Sequence, residues 1–178
     1  MDLVNTRPQI SSEAVDLIAD GKGLRIWLEL EKDRLSDSLA AELATIPSED
    51  LGPIHSVREN LAIALDHQTR GLGVPVAAIE GLNDAMRAAP AIHQLDWGDP
   101  PSLASRREGS AAVCLAAFLA EDAAALLAGP NRLQIRKCEA DDCVMLFVGT
   151  NARRRWCSAT RCGNRVRVSR YYQRSKAS

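Results

Sequence analysis

Four of the five cysteines fall in one run, Cys138-x4-Cys143-x13-Cys157-x4-Cys162. Each close pair can form a knuckle, and the spacer lets the two knuckles face each other, as a tetrahedral four-thiolate site requires. Zinc takes four soft thiolates at about 2.3 Å, and the four-residue loops lie at the permissive edge of its usual ligand spacing. Two disulfides are one alternative, disfavoured in a reducing cytosol. Buried free thiols are another, and an iron–sulfur cluster, whose cysteine runs are usually more crowded, is a third. Zinc fits the spacing best. A closed set of four thiolates leaves no open coordination position, so Zn2+ is expected as a structural ion.

The residues around the cysteines suit a two-knuckle module. Leu133 to Lys137 reads as a strand entering the first knuckle. Val144, Leu146 and Val148 alternate with Met145 and Phe147, as a short strand leaving it should. A loop, Gly149-Thr150-Asn151-Ala152, follows, and a helix is expected from about Thr160 to Arg174 with Cys162 in its first turn, near the positive end of the dipole. The arrangement resembles a treble-clef finger. Phe147, Trp156, Tyr171 and Tyr172 are read as packing for so small a core.

Charge divides the chain at the same place. Residues 1–130 hold 10 basic and 20 acidic side chains, whereas residues 131–178 hold 12 basic and 3 acidic. A four-thiolate zinc adds about −2 and leaves the basic part near +7. Such asymmetry points to a polyanionic partner. On a helical wheel Arg167, Arg170 and Arg174 share one face, Arg161 and Arg165 form a second pair nearer the metal, and Arg153, Arg154 and Arg155 sit in the loop entering the second knuckle. Arginines on a rigid support suit phosphate contacts and guanine edges. Docking on the acidic part of the same chain is the competing reading.

The first 130 residues must then be a separate, mainly helical domain, bounded by Gly129-Pro130-Asn131. Of the whole chain 46% is hydrophobic but only 4% aromatic, and alanine and leucine dominate, which favours helix over strand. Asp2 to Thr6 reads as a short strand ended by Arg7-Pro8, and Ser11 or Ser12 as the cap of a helical turn through Ala14, Val15, Leu17 and Ile18. Leu24, Trp27 and Leu28 have helical spacing, and Ser36, Leu39, Leu43 and Ile46 begin another helix that Pro47 ends. Ile54, Val57, Leu61, Ala64 and Leu65 form the clearest amphipathic helix, and Val76, Ile79, Leu82 and Met86 line a further one after Pro75. Ile92–Trp97 and Leu103–Arg107 flank a proline-rich turn and read as a β-hairpin. A long helix from about Glu108 to Ala128 turns Leu115, Phe118, Leu119 and Leu126 inward. The fold class is therefore mainly α (α+β), with a short strand and a hairpin in the helical domain and a small zinc finger after it.

Little in this part suggests catalysis. His55, His67 and His93 show no pairing with a nucleophile or carboxylate cluster, Cys114 reads as a buried thiol, and no phosphate-cradling glycine loop occurs. No apolar run approaches the roughly 20 residues of a membrane span, and the first residues lack the pattern of a secretory signal, so a cytoplasmic protein that is not an enzyme is expected. Asn5, Thr6 and Arg58 are candidates to line a small-molecule pocket, against the simpler reading that they satisfy local backbone groups and a neighbouring acid.

The string from Arg153 to Arg165, RRRWCSATRCGNR, resembles the signature of the CGNR zinc-finger family, named for Cys162 to Arg165. Cys138 to Phe147 is similar to that family's first knuckle and strand, while Asp2-Leu3-Val4-Asn5-Thr6 and Leu24-x2-Trp27-Leu28 resemble its preceding ABATE domain. The resemblance covers nearly the whole chain, most specifically at the finger, and implies a bacterial stress-responsive transcription regulator with a DNA-binding finger. Gly149 departs from the acidic residue common after the strand, which is expected to loosen the hairpin or its link to the arginine loop. Gly163 is expected to allow close packing at the knuckle and Asn164 to bond a thiolate or loop amide. The leading expectation is a zinc-dependent DNA-binding regulator whose helical domain senses a small-molecule effector or forms a homodimer, since one finger offers little specific interface. A protein-interaction module and a redox-responsive zinc switch are the alternatives.

Overall fold

A computed structural model describes residues 1–10, 13–34, 50–149, 151 and 153–176. The helix expected from Ser36 to Ile46 and the caps at Ser11 and Ser12 lie outside these, as do Thr150 and Ala152 of the arginine loop.

Five α-helices order the described chain. Helix α1 (Gly21–Leu30) starts where the Asp20 carboxylate accepts the Gly23 N–H at 2.7 Å, and it buries Leu24 and Leu28. Helix α2 (Gly52–Thr69) begins with Pro53 in its first turn and buries Ile54, Val57, Leu61, Ala64 and Leu65, the face expected from their spacing. Helix α3 (Val76–Ala88) buries Ala78 and Leu82, and helix α4 (Ala111–Ala128) starts at a Ser110 cap, a turn later than expected. Helices α2, α3 and α4 pack against one another, with Leu3, Ile18, Leu24 and Leu28 closing the same core. Helix α4 is long and apolar enough over its 18 residues to cross a membrane by length and composition alone, although Glu121 and Asp122 interrupt its apolar run. Its Leu115, Ala116, Leu119, Ala120 and Ala123 are instead buried in the helical core.

The N-terminal strand is not formed. Val4–Thr6 is a 3-10 turn in which the Val4 and Thr6 amides bond to Met1 and Leu3 carbonyls and the Thr6 hydroxyl donates to Leu3 O. Local partners satisfy this backbone, so it has no need of a sheet. The helical turn expected through Ala14 is also replaced. Strands β1 (Gln9–Ile10) and β2 (Glu13–Ala14) pair antiparallel instead, and Leu17 N–H donates to Thr6 O at 2.8 Å. Strands β3 (Ile92–Asp96) and β4 (Ser102–Arg106) form the expected hairpin, with Leu95 opposite Leu103.

The chain crosses residue 130 through a 3-10 turn into strands β5 (Ile135–Lys137) and β6 (Leu146–Val148), but the core crosses with it. Ile135, Leu146 and Val148 pack into the helical core, while Phe147, on the opposite side of the pleat, packs with Cys138, Ala140 and Cys162. Asn5 completes the junction. Its side-chain amide donates to Leu146 O at 3.0 Å and accepts the Leu146 N–H at 2.9 Å, as a neighbouring strand would.

A charged pair lies under the N-terminal turn. Arg58, 1% exposed, donates from Nη1 and Nη2 to the two carboxylate oxygens of Asp16 at 2.6 Å each, and from Nη1 to Thr6 Oγ1 at 3.0 Å. The hydrogen bonds from Arg58 hold the Asp16 carboxyl down at about 2 against the opposing effect of burial. A depressed folded-state pKa gives stability that is complete above the unfolded value near 4 and is lost as pH falls through about 2. Asp16→Asn is accordingly expected to cost about 3 kcal/mol at pH 7, since it strips a buried guanidinium of its counter-charge. The wild-type advantage should shrink by about 2 kcal/mol between pH 5 and pH 2, measured by denaturant unfolding of both proteins across that range.

Candidate metal centre

The β5–β6 hairpin carries the first knuckle at its turn. Cys138 N–H donates to Met145 O and Cys143 N–H to Ala140 O, both at 2.9 Å, which folds the chain back so that the two sulfurs converge. The second knuckle is built differently. Ser158 caps a π-helical turn, Ala159–Gly163, by accepting the Arg161 N–H through its hydroxyl and the Gly163 N–H through its carbonyl. This turn places Cys162 just ahead of helix α5 (Asn164–Lys176), which begins four residues after the start expected at Thr160, so that Cys162 lies in the turn before the helix and not in its first turn. Glu139 N–H donates to Arg155 O at 3.0 Å and ties the knuckles together.

The four sulfurs lie within 4.8 Å of one another. Cys143 and Cys157 Sγ are 3.8 Å apart, and Cys157 and Cys162 Sγ are 3.6 Å apart. These separations are far beyond a disulfide of about 2.05 Å, so the cystine alternative is excluded for this structure. They match the edge of about 3.8 Å that a tetrahedron with 2.3 Å metal–sulfur bonds requires. Without a cation the site disfavours the thiolate at Cys157 and at Cys143. Burial, and after it the sulfurs of Cys162, Cys143 and Cys138, push the Cys157 thiol up, and burial likewise raises Cys143. Burial also opposes ionisation of Cys138, but the Ala140 and Cys157 amides and the neighbouring sulfurs outweigh it and bring that thiol down. A divalent ion at the centre reverses this balance by holding all four as thiolates. The donor set, its burial and its edge lengths fit zinc, which supplies a structural clamp and no reactive position.

With this geometry in view, the comparisons agree with it at both ends of the chain. The profile of a family described as "ABATE: Putative stress-induced transcription regulator" matches residues 1–130, and that of the CGNR zinc finger matches residues 134–175. The chain belongs to the ABATE family. No curated protein matches it.

Within this ABATE protein the residues of the CGNR finger divide by what they touch. Arg154 is exposed but lies along the metal loop. Its guanidinium carbon stands 4.6 Å from the centroid of the Phe147 ring, and its Nε and Nη2 donate to Trp156 O at 3.1 Å and Cys157 O at 2.6 Å. It thereby fixes the backbone that presents Cys157. Arg155 pairs with Glu139 at 2.5 Å, across the two knuckles. Both were expected at a nucleic-acid surface, and both are engaged in holding the metal loop. The signal for Arg154 was faint in the sequence: the pleat turns Phe147 toward the cysteines, and a cation two residues before Trp156 then has a ring to cover. Arg165 Nη2 lies 4.0 Å from Cys162 Sγ and faces the metal ligands. Gly163 is buried, and a Cβ there would come within 3.2 Å of the Trp156 ring, so the expected close approach is with this indole. Asn164 is exposed at the start of α5. Gly149 does not loosen the hairpin. Its N–H donates to Gln134 O at 2.7 Å, and the space a side chain would need is held by Arg136 at 3.1 Å.

Arg153, Arg161, Arg167 and Arg170 are exposed and make no ion pair with a described acid, while Arg174 Nε donates to Arg170 O at 3.2 Å. Tyr171 and Tyr172, expected as packing, are exposed on α5, with their rings in edge contact at 5.8 Å. Only Phe147 and Trp156 pack at the metal centre. The candidate pocket residues of the helical part are engaged by partners within the protein: Asn5 by Leu146, Thr6 by Leu3 and Arg58, and Arg58 by Asp16 rather than its neighbour Glu59.

Elemental analysis of the reduced protein is expected to find one zinc per chain, and Cys157→Ser should abolish its retention while the helical core still unfolds cooperatively. Arg154→Leu should lower zinc affinity by about 10- to 100-fold in a chelator competition, with Arg153→Ala close to wild type.

Proposed function

We propose that this ABATE protein is a zinc-dependent DNA-binding transcription regulator of the cytoplasm, with no catalytic step of its own. The observation that carries the reading is the set of exposed arginines on the metal-clamped support. Arg167 and Arg170 lie on α5, Arg161 on the turn before it, and Arg153 on the loop that enters the knuckle. Zinc gives these side chains fixed origins, and guanidinium groups without acidic partners are available to phosphate oxygens. Tyr171 lies one helical turn from Arg167 on the same helix and supplies an aromatic plane beside the cations. Arg165 and Arg174 add charge at the two ends of α5, and Arg154 and Arg155 contribute through the shape of the loop. The helical part, with its excess of acids, keeps phosphate away from its own surface and serves as the dimerising or sensing part.

Duplex DNA of random sequence is the test. Binding should weaken steeply with salt, because each neutralised phosphate releases counterions. Arg167→Ala with Arg170→Ala should reduce the slope of log affinity against log salt by about 2 and leave zinc content unchanged. A zinc-loaded protein with no affinity for duplex DNA at low salt overturns the reading, and a salt-insensitive interaction would assign the basic surface to a protein partner.

A further inference from the structure

The β3–β4 hairpin leaves its apolar side chains in solvent. Leu95 and Leu103 are opposite each other on one face and are 61% and 69% exposed, and Trp97, just past the end of β3, is 84% exposed. Ile92 is exposed on the reverse face. The root of the ribbon is firmly held: Arg107 donates to Ala89 O at 2.5 Å and pairs with Glu121 of α4. A two-stranded ribbon is marginal in water by itself and gains stability when its apolar face is covered. Beside its root, between α2, α3 and α4, runs a groove of about 340 Å³ whose walls include Pro53, Gly81, Ala85, Ala88, Val113 and Ala116. Small side chains leave it roomy enough for an indole.

We propose that the ribbon is an exchange arm for a second copy of this chain. In a two-fold dimer each ribbon lies across the helical part of the other copy and seats Trp97 in that groove. An isologous exchange of this kind closes on itself and satisfies both ribbons and both grooves at once. Each ribbon offers on the order of 500 Å² of apolar side chain, most of it from Trp97, Leu95 and Leu103. Two ribbons and the groove surfaces they cover together exceed the roughly 1,200 Å² at which stable interfaces begin. An exposed tryptophan facing a pocket of small residues is also the usual form of an interface anchor. Nucleic acid is a poor occupant, because Asp96 and Asp99 flank Trp97 at the tip and repel phosphate. The inference deepens the reading of the helical part as the dimerising part and does not depend on DNA binding.

Sedimentation of the full zinc-loaded chain without DNA, from submicromolar to high micromolar concentration, tests it. The wild type should show a reversible monomer–dimer equilibrium. Trp97→Ser with Leu103→Ser, at exposed positions, should weaken dimerisation by at least about 30-fold with helicity and zinc content unchanged. Ala88→Arg, at an exposed position on the groove wall, should weaken it comparably. A wild type that stays monomeric throughout overturns the proposal and assigns the ribbon to another protein. A dimer that survives the ribbon substitutions overturns it too. Loss of the dimer on changing the ribbon but not Ala88 overturns the seating in the groove.

Discussion

The pleat of one three-residue strand sets the rest of the molecule in place. In β6, Leu146 and Val148 point into the helical core and Phe147 points into the sulfur cluster. Successive side chains on a strand must take opposite faces, so the strand cannot serve one core without presenting the other. A one-residue slip would put Phe147 among the helices and leave the cysteines without an apolar floor. The metal centre is thus built on a hairpin whose reverse side belongs to the helical core, and the Asn5 amide fastens the same strand from the N-terminal side.

This arrangement separates two uses of positive charge. Arginines of the loop before Cys157 cover a ring, cap carbonyls and offset the negative charge of a four-thiolate zinc. Arg153, Arg161, Arg167 and Arg170, on the outer surface of α5 and its approach, form no ion pair with a described acid. The two kinds differ in their surroundings and not in their residue type. A run such as Arg153-Arg154-Arg155 therefore holds one side chain without an ion pair to a described acid next to two that are engaged at the metal loop, all three being exposed.

What was legible in the sequence follows from how local the cause is. Cysteine spacing specifies a four-sulfur site almost alone, because knuckles are short and these four are the only thiols in residues 131–178. The buried face of α2 was readable from period alone, and the β3–β4 hairpin from its turn residues. The N-terminal turn was not. Asp2 to Thr6 has the look of a strand; its 3-10 hydrogen bonds are local, but the Thr6 and Asn5 side chains are fastened by Arg58 and Leu146, 52 and 141 residues away. The exposure of Tyr171 and Tyr172 was equally illegible, since a helix one turn beyond a small metal core has nothing left to pack against. Charge pattern showed that the last part of the chain is basic, but only the packing of Phe147 and Trp156 shows which arginines are occupied.

The apolarity of helix α4 bears on how the chain is made. A segment that oily would be a fair substrate for membrane-insertion machinery if it left the ribosome unaccompanied. Its neighbours α2 and α3 both precede it in the chain, so the surfaces that shelter it have been translated before it emerges. Gene order here acts as a safeguard, and a circular permutant that opened with residues 111–128 would lose it.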